Sequence, residues 1–199
     1  MSKYTIEIRQ DDMPEPPREW DNLGTMVCSH SRYNLGDEQL SYGEFWDFIK
    51  EEGGKDSFFI LPLYLYDHSG LTMSTEPFSC PWDSGQVGYI YVSKDDVRNE
   101  FGAGRISTKL AKQAFKILKG EVETYDQYLR GDVYGYIIKD SNGVEQESCW
   151  GFYGEDYCRK EAEAVVCSLE KLDMKIRFGK LKALIQHHVP LDVRQEVLQ

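Results

Sequence analysis

The sequence has no long hydrophobic run and no paired set of cysteines, and each absence excludes a class of protein. No apolar stretch approaches the ~20 residues that a membrane-spanning helix needs. The first residues, MSKYTIEIRQDD, form no apolar signal segment. The five cysteines form no disulfide framework of the kind found in small secreted proteins. We therefore expect a cytoplasmic protein with reduced thiols.

Basic residues are also scarce. The chain has 34 Asp and Glu against 23 Lys and Arg, a formal net charge of −11. Such a chain is disfavoured as a direct binder of nucleic acid or of anionic membranes. The acidity lies in two blocks, −7 over residues 1–60 and −8 over residues 121–170, while residues 171–199 carry +3. These blocks are either solvated acidic faces or a surface that imitates a polyanion.

What is present is enough to build a core. With 199 residues, 41% hydrophobic and 13% aromatic, the chain suits a single domain. We expect an α+β fold, with an antiparallel or mixed sheet of about five or six strands and two long helices, 107–129 and 155–172, packed on one face. We assign residues 1–175 to the domain and residues 176–199 to a basic helical tail.

Local signals place the other elements. Ser41 is expected to cap a helix over 42–51, with Glu44 at the capping-box position. Ser141-Asn142-Gly143 predicts a tight hairpin turn, because Asn-Gly tolerates a positive φ. Pro62 predicts a bulge or a one-sided edge in an apolar strand. The expected strands are 4–8, 25–28, 58–66, 71–75, 87–92, 133–139 and 144–152.

The segment 57–93 is where apolar strands meet side chains that can do chemistry. Cys80 is a candidate nucleophile, with His68 as its base and Asp67 or Asp83 as the orienting acid. These four residues would serve a cysteine-dependent hydrolase or transferase. The other interpretation is a structural loop with a buried cysteine.

The sequence also raises the possibilities of a zinc site and of a nucleotide-binding site. Cys28, His30, His68 and Cys80 would supply a zinc-compatible set, but there is no CxxC pair and the ligands lie in separate segments. We therefore predict no metal and no cofactor. A small-molecule binder that sequesters a nucleotide is a second alternative, and a pocket lined by Tyr and Arg would be its sign.

Exposed aromatic side chains beside acidic ones indicate recognition. Tryptophan is a frequent interface anchor, and carboxylates around it steer a basic partner. The candidate binding residues are Trp20, Trp82, Asp83, Trp150, Glu155 and Asp156. The same aromatics could instead fill a core.

Five strings carry a resemblance: PREWDNLGTMVC, LYLYDHSG, CPWDSGQVGYIYV, YDQYLRGDVYGY and CWGFYG, all within residues 17–154. The chain resembles a group of uncharacterised proteins encoded by phages, plasmids and other bacterial mobile elements. The resemblance implies a setting in a bacterial host cell but transfers no catalytic residue. Small acidic accessory proteins of such elements often inhibit host restriction or CRISPR enzymes, in some cases as DNA mimics.

From charge, aromatics and resemblance we expect a non-catalytic inhibitor. Its partner would be a basic, nucleic-acid-binding surface of a host defence or DNA-processing protein. No direct contact with nucleic acid or membrane is expected, and the oligomeric state is left open.

Overall fold

The structure is a computed structural model that describes residues 3–188. It contains helices and strands in a mixed order, which confirms the α+β class. The strands are β1 (Thr5–Gln10), β2 (Thr25–Cys28), β3 (Glu38–Gln39), β4 (Phe58–Asp67), β5 (Leu71–Ser74), β6 (Ser84–Ser93), β7 (Val133–Lys139) and β8 (Glu145–Tyr153). The helices are α1 (Tyr42–Glu51), α2 (Lys94–Glu100), α3 (Thr108–Leu129) and α4 (Glu155–His188). No described helix is both long enough and apolar enough to cross a membrane.

The chain divides into two compact units. The central unit is Asp11–Val133, and the terminal unit joins Met1–Gln10 to Tyr134–Gln199. The division into a domain of residues 1–175 and a tail of residues 176–199 stays a prediction, and residues 189–199 lie outside the described part of the chain. Within that part, α4 continues through residue 175 without a break.

The central unit is a five-stranded sheet covered on both faces by helices. Its strand order is β3-β2-β6-β4-β5, antiparallel except for the β2–β3 pair. Side chains alternate across β4, so Phe59, Leu63 and Leu65 join the core that α3 covers, and Phe58 and Ile60 pack in the cluster with α1. This alternation explains why β4 is apolar throughout, as a strand buried on both faces requires.

The local signals are confirmed. The Ser41 hydroxyl accepts the Glu44 N–H, and the Glu44 carboxylate accepts the Ser41 N–H, which completes the capping box. At Pro62 the strand β4 has a neighbour on one side only, because β6 pairs with it there and β5 begins to pair at Tyr64; a register shift follows between Leu63 and Tyr64. The hairpin turns at Gly143, whose φ is 79°.

The terminal unit is a three-stranded sheet, β1-β7-β8, with α4 packed on one face. Cys158 and Ala162 of α4 are buried against Tyr4, Tyr136 and Ile138. The apolar residues of α4 recur every three or four positions from residue 158 to residue 169, so one side of the helix can cover the sheet.

Two details differ from the sequence-based expectation. The strands form two sheets instead of one, and α3 and α4 pack on different sheets. Alternation along a strand identifies its buried face but does not specify the strand beside it. In addition, α4 extends past residue 172 to His188, the last residue that the structure describes. Good helix formers continue past Leu172, and the first proline beyond it is Pro190.

Gly88 tests the packing of the central sheet. A Cβ at this position would lie 1.9 Å from the Val27 carbonyl oxygen, whereas a Cβ at Gly85 on the same strand would meet nothing within 4 Å. We expect Gly88→Ala to destabilise the fold by about 3 kcal/mol or more, because backbone must move. Gly85→Ala, the matched control, should stay within about 0.5 kcal/mol of the parent. Urea unfolding measures both, and an unchanged midpoint for Gly88→Ala would contradict this packing.

Candidate functional site

The predicted catalytic residues meet at one end of the central sheet. Pairing of β4 with β6 brings Asp67 beside Asp83, and the Asp67 N–H donates to the Asp83 carbonyl at 2.8 Å. His68 Nδ1 lies 3.2 Å from Asp83 Oδ2. The Cys80 thiol donates to the same Oδ2 at 3.8 Å. The fold therefore gathers all four residues into one neighbourhood.

The carboxylate of Asp83 is the shared partner in this neighbourhood. Across the described residues, no hydrogen bond joins Cys80 to His68, since each contacts Asp83 instead. Asp67 is occupied by an ion pair with Arg32 and a hydrogen bond from the Tyr33 hydroxyl. A thiol nucleophile requires a base in direct contact, and here a carboxylate fills that place. The catalytic assignment stays a prediction, without the contact it needs.

A cleft of about 440 Å³ lies beside these residues. Arg32, Asp67, Asp83 and the indole of Trp82 contribute to its lining, and Trp82 is 91% exposed. His30 also lines the cleft, and its Nδ1 accepts the N–H of Arg32 at 3.2 Å. The cleft is thus a polar, open surface with both signs of charge.

The described residues contain no group of three or more His, Cys, Asp or Glu placed to hold a metal ion. The zinc set weighed from the sequence, Cys28, His30, His68 and Cys80, is accordingly not assembled. Cys28 is fully buried in the core of the central unit, while His68 lies at the exposed end of the sheet.

A buried arginine fixes the segment that follows β1. The Arg18 side chain is only 7% exposed. Its Nε donates to Asp37 Oδ1 at 3.0 Å, its Nη1 donates to Glu121 Oε2 at 3.0 Å, and its Nη2 donates to the Gly24 carbonyl at 2.6 Å. Glu121 also accepts the Leu23 N–H at 2.9 Å. Burial lowers the pKa of Arg18, but the hydrogen bonds and charges of Asp37 and Glu121 outweigh burial and raise it overall.

This anchored segment forms one wall of an acidic cleft of about 770 Å³. Four carboxylates line the cleft, and none of its lining residues is Lys or Arg. Apolar side chains and two asparagines complete it. The lining consists of Asp21, Asn22, Leu23, Asp96, Asn99, Glu100, Phe101, Ile117 and Glu121.

Sequence reasoning did not identify this acidic cleft. None of the four carboxylates that line it is among the candidate binding residues predicted from the sequence. The cleft combines the segment after β1 with α2 and α3, elements about 75 to 100 residues apart in the chain. No local sequence pattern predicts a contact between residues so far apart in the chain.

The predicted binding residues fall into both units. Trp20, Trp82 and Asp83 are exposed in the central unit. In the terminal unit, Trp150 is 45% exposed and its ring covers Gly135, where a Cβ would lie 2.2 Å away. The remaining two, Glu155 and Asp156, are exposed in the first turn of α4, and Glu155 accepts a hydrogen bond from Arg159. The set therefore does not form one patch within a single unit.

Net charge is divided unequally between the two units. The central unit carries 22 acidic and 12 basic residues, a net charge of −10, and the terminal unit carries 12 and 11, a net charge of −1. Within the central unit, residues 11–93 hold 15 acidic residues and only 4 basic ones. The acidity of this protein is a property of the central unit.

Comparison with protein-family models, with curated proteins and with solved structures gave no match.

Arg18 offers a test of how the acidic cleft is held. We expect Arg18→Met to destabilise the protein by about 3 kcal/mol or more, because the Glu121 carboxylate, only 11% exposed, would keep its charge without a partner and Asp37 would also lose its ion pair. The double variant Arg18→Met with Glu121→Gln should recover part of that loss. The control Arg105→Met, at an exposed arginine, should have little effect. Thermal unfolding measures all three, and equal losses for Arg18→Met and Arg105→Met would refute the anchoring role.

The thiols give a test of burial. Burial, helped by the nearby Asp37 carboxylate, raises the pKa of Cys28 to about 12, and burial also raises the pKa of Cys158. Thiolate is the reactive form, so neither should be alkylated by iodoacetamide near pH 8 in the folded protein. The exposed Cys149 and Cys167 should react first. Peptide mass mapping after timed labelling would show the order, and early modification of Cys28 would contradict the structure.

Proposed function

We propose that this protein is a non-catalytic binding protein whose central unit docks onto a basic surface of a partner protein. The surface would be one that otherwise binds nucleic acid, on a host defence or DNA-processing protein. The observation that carries the proposal is the acidic cleft, which presents carboxylates and no cation within the unit that holds nearly all of the net charge. The resemblance to mobile-element proteins supplies the setting of a bacterial host and the role of inhibitor.

The cleft suits the side chains of such a partner. Its apolar lining, Leu23, Phe101 and Ile117, would contact the aliphatic stems of Lys or Arg, and the carboxylates would accept from the charged ends. The carboxylate side chains of Asp21 and Glu100 make no hydrogen bond or ion pair with other described residues, so their acceptor capacity is open. Asp96 instead serves the Ser93 cap of α2.

Exposed tryptophans would anchor the contact. Trp20 adjoins Asp21 in the chain and is 42% exposed, and Trp82 stands almost fully in solvent beside Asp83. Large aromatic side chains contribute most of the energy in many interfaces, while the surrounding charges steer encounter. The hydrolase and nucleotide-binding alternatives stay predictions, since no contact described above favours either.

An arginine-rich peptide, octa-arginine, serves as the probe. We expect the full chain to bind it, with an affinity that falls steeply as salt is raised, because exposed charge pairs are screened. The double variant Asp21→Asn with Glu100→Gln should weaken binding by about tenfold, about 1.4 kcal/mol. Fluorescence anisotropy at two salt concentrations measures both effects.

The matched control removes the same two charges elsewhere in the central unit. Glu51→Gln with Glu52→Gln changes exposed carboxylates at the end of α1, away from the residues that line the cleft. This variant should bind the peptide nearly as well as the parent. If the two double variants lose affinity equally, only net charge matters and the cleft is not the site. Salt-independent binding would remove the electrostatic mechanism altogether.

A further inference from the structure

The second half of α4 continues past the sheet that its first half covers. The apolar cluster of the terminal unit includes α4 residues up to Leu169, and Asp173 accepts from Lys3 Nζ at 2.7 Å and from the Tyr4 hydroxyl at 3.0 Å. We call residues 174–188 the distal segment. All its residues from 174 to 184 are exposed.

One apolar seam of the helix runs on into this segment. The residues that face the sheet recur at alternating steps of four and three, and the same rhythm continues to Leu172, Ile176, Gly179 and Ala183. Apolar residues at this spacing form the stripe, here called a seam, along which one helix packs against another. The sheet covers the beginning of the seam, whereas Leu172 is 53% exposed and Ile176 is 47% exposed. The seam is therefore covered by the sheet in the first half of α4 and exposed in the distal segment.

A second apolar seam lies on the opposite side of the segment. Met174, Phe178 and Leu181 follow the same steps of four and three, and at about 100° per residue they lie roughly half a turn from the first seam. They are 63%, 66% and 55% exposed. Ile185, the next position of this seam, is buried. Two opposed seams explain why the apolar residues of α4 do not gather on one face.

The flanks of both seams are basic. The distal segment contains Lys175, Arg177, Lys180 and Lys182 and no Asp or Glu, a net charge of +4. On a helical wheel, Lys175 and Lys182 lie between the seams on one side, and Arg177 and Lys180 lie between them on the other. Large apolar side chains bordered by one sign of charge are complementary to a helix with the same apolar rhythm and the opposite charge.

We propose that the second seam of the distal segment, formed by Met174, Phe178 and Leu181, binds an acidic amphipathic helix of a partner protein by helix-to-helix packing. This binding surface is independent of the acidic cleft and has the opposite charge preference. A second copy of this segment is disfavoured, because pairing would oppose Lys and Arg to Lys and Arg along the flanks. A bilayer suits a helix with a single apolar face, and here the apolar residues lie on two opposed sides.

The probe is a synthetic helix of four heptads with Leu at the a and d positions and Glu at the e and g positions. The comparison peptide has Lys in place of every Glu. We expect the full chain to bind the Glu peptide at least about tenfold more tightly than the Lys peptide. Isothermal titration calorimetry measures both affinities under one buffer condition.

Variants locate the surface. Phe178→Asp and Leu181→Asp should each weaken binding of the Glu peptide by about tenfold, whereas Ile176→Asp, on the opposite side of the helix, should leave binding unchanged. Val144→Asp makes the same kind of change at an exposed apolar residue of the hairpin turn in the same unit, and it should leave binding unchanged. Circular dichroism confirms that each variant keeps its helix content.

A charge reversal separates recognition from folding. Lys175→Glu with Lys182→Glu should weaken binding of the Glu peptide and strengthen binding of the Lys peptide, a gain that a misfolded variant would not show. Equal binding of the two peptides, or binding of neither, would overturn the proposal.

Three other occupants are distinguishable outcomes that would also overturn it. Sedimentation as a dimer that Phe178→Asp converts to monomer would identify a second copy. Binding to vesicles with anionic lipid that the Glu peptide does not compete would identify a membrane. Glu-peptide binding that appears only in a variant ending at residue 188 would identify the end of this chain.

Discussion

The central unit depends on one buried cation. Arg18 joins three segments that are distant in the chain, since it donates to Gly24 in its own loop, to Asp37 after β2 and to Glu121 in α3. Because little solvent surrounds the guanidinium, each of these hydrogen bonds is strong. For the same reason, loss of any one partner destabilises the fold strongly. The ion cluster therefore fixes a loop with three prolines to the helix and the sheet.

The same cluster separates structural carboxylates from free ones. Asp37 and Glu121 neutralise Arg18 and accept backbone N–H groups. Asp126 accepts the Met73 N–H at 2.8 Å, and burial raises the pKa of Asp126 despite that bond and the nearby Arg130. The carboxylates of Asp21 and Glu100 make no such hydrogen bond or ion pair with other described residues. Binding of a cationic partner requires carboxylates that are not already paired within the fold. These two lie in the acidic cleft, beside the loop that Arg18 anchors.

The terminal unit distributes charge differently. Its net charge is close to zero, yet α4 alone changes from acidic at its start to basic at its end. Residues 155–170 contain five acidic and two basic side chains, whereas the distal segment contains only basic ones. The acids of the first turn, Glu155 and Asp156, interact favourably with the helix dipole. The basic distal segment thus carries the opposite sign of charge to the acidic cleft of the central unit.

Periodicity, caps and turn residues in the sequence were sufficient for the α+β class, the capping box at Ser41 and the Asn142-Gly143 hairpin. Each is a local property, because it depends on residues within a few positions of one another. Tertiary structure alone decided that the strands form two sheets, that Asp83 and not His68 is the partner of Cys80, and that Asp21, Asp96, Glu100 and Glu121 line one cleft. Those outcomes depend on which distant segments pack together, and burial free energy distributed over the whole core makes that choice without a short sequence signal.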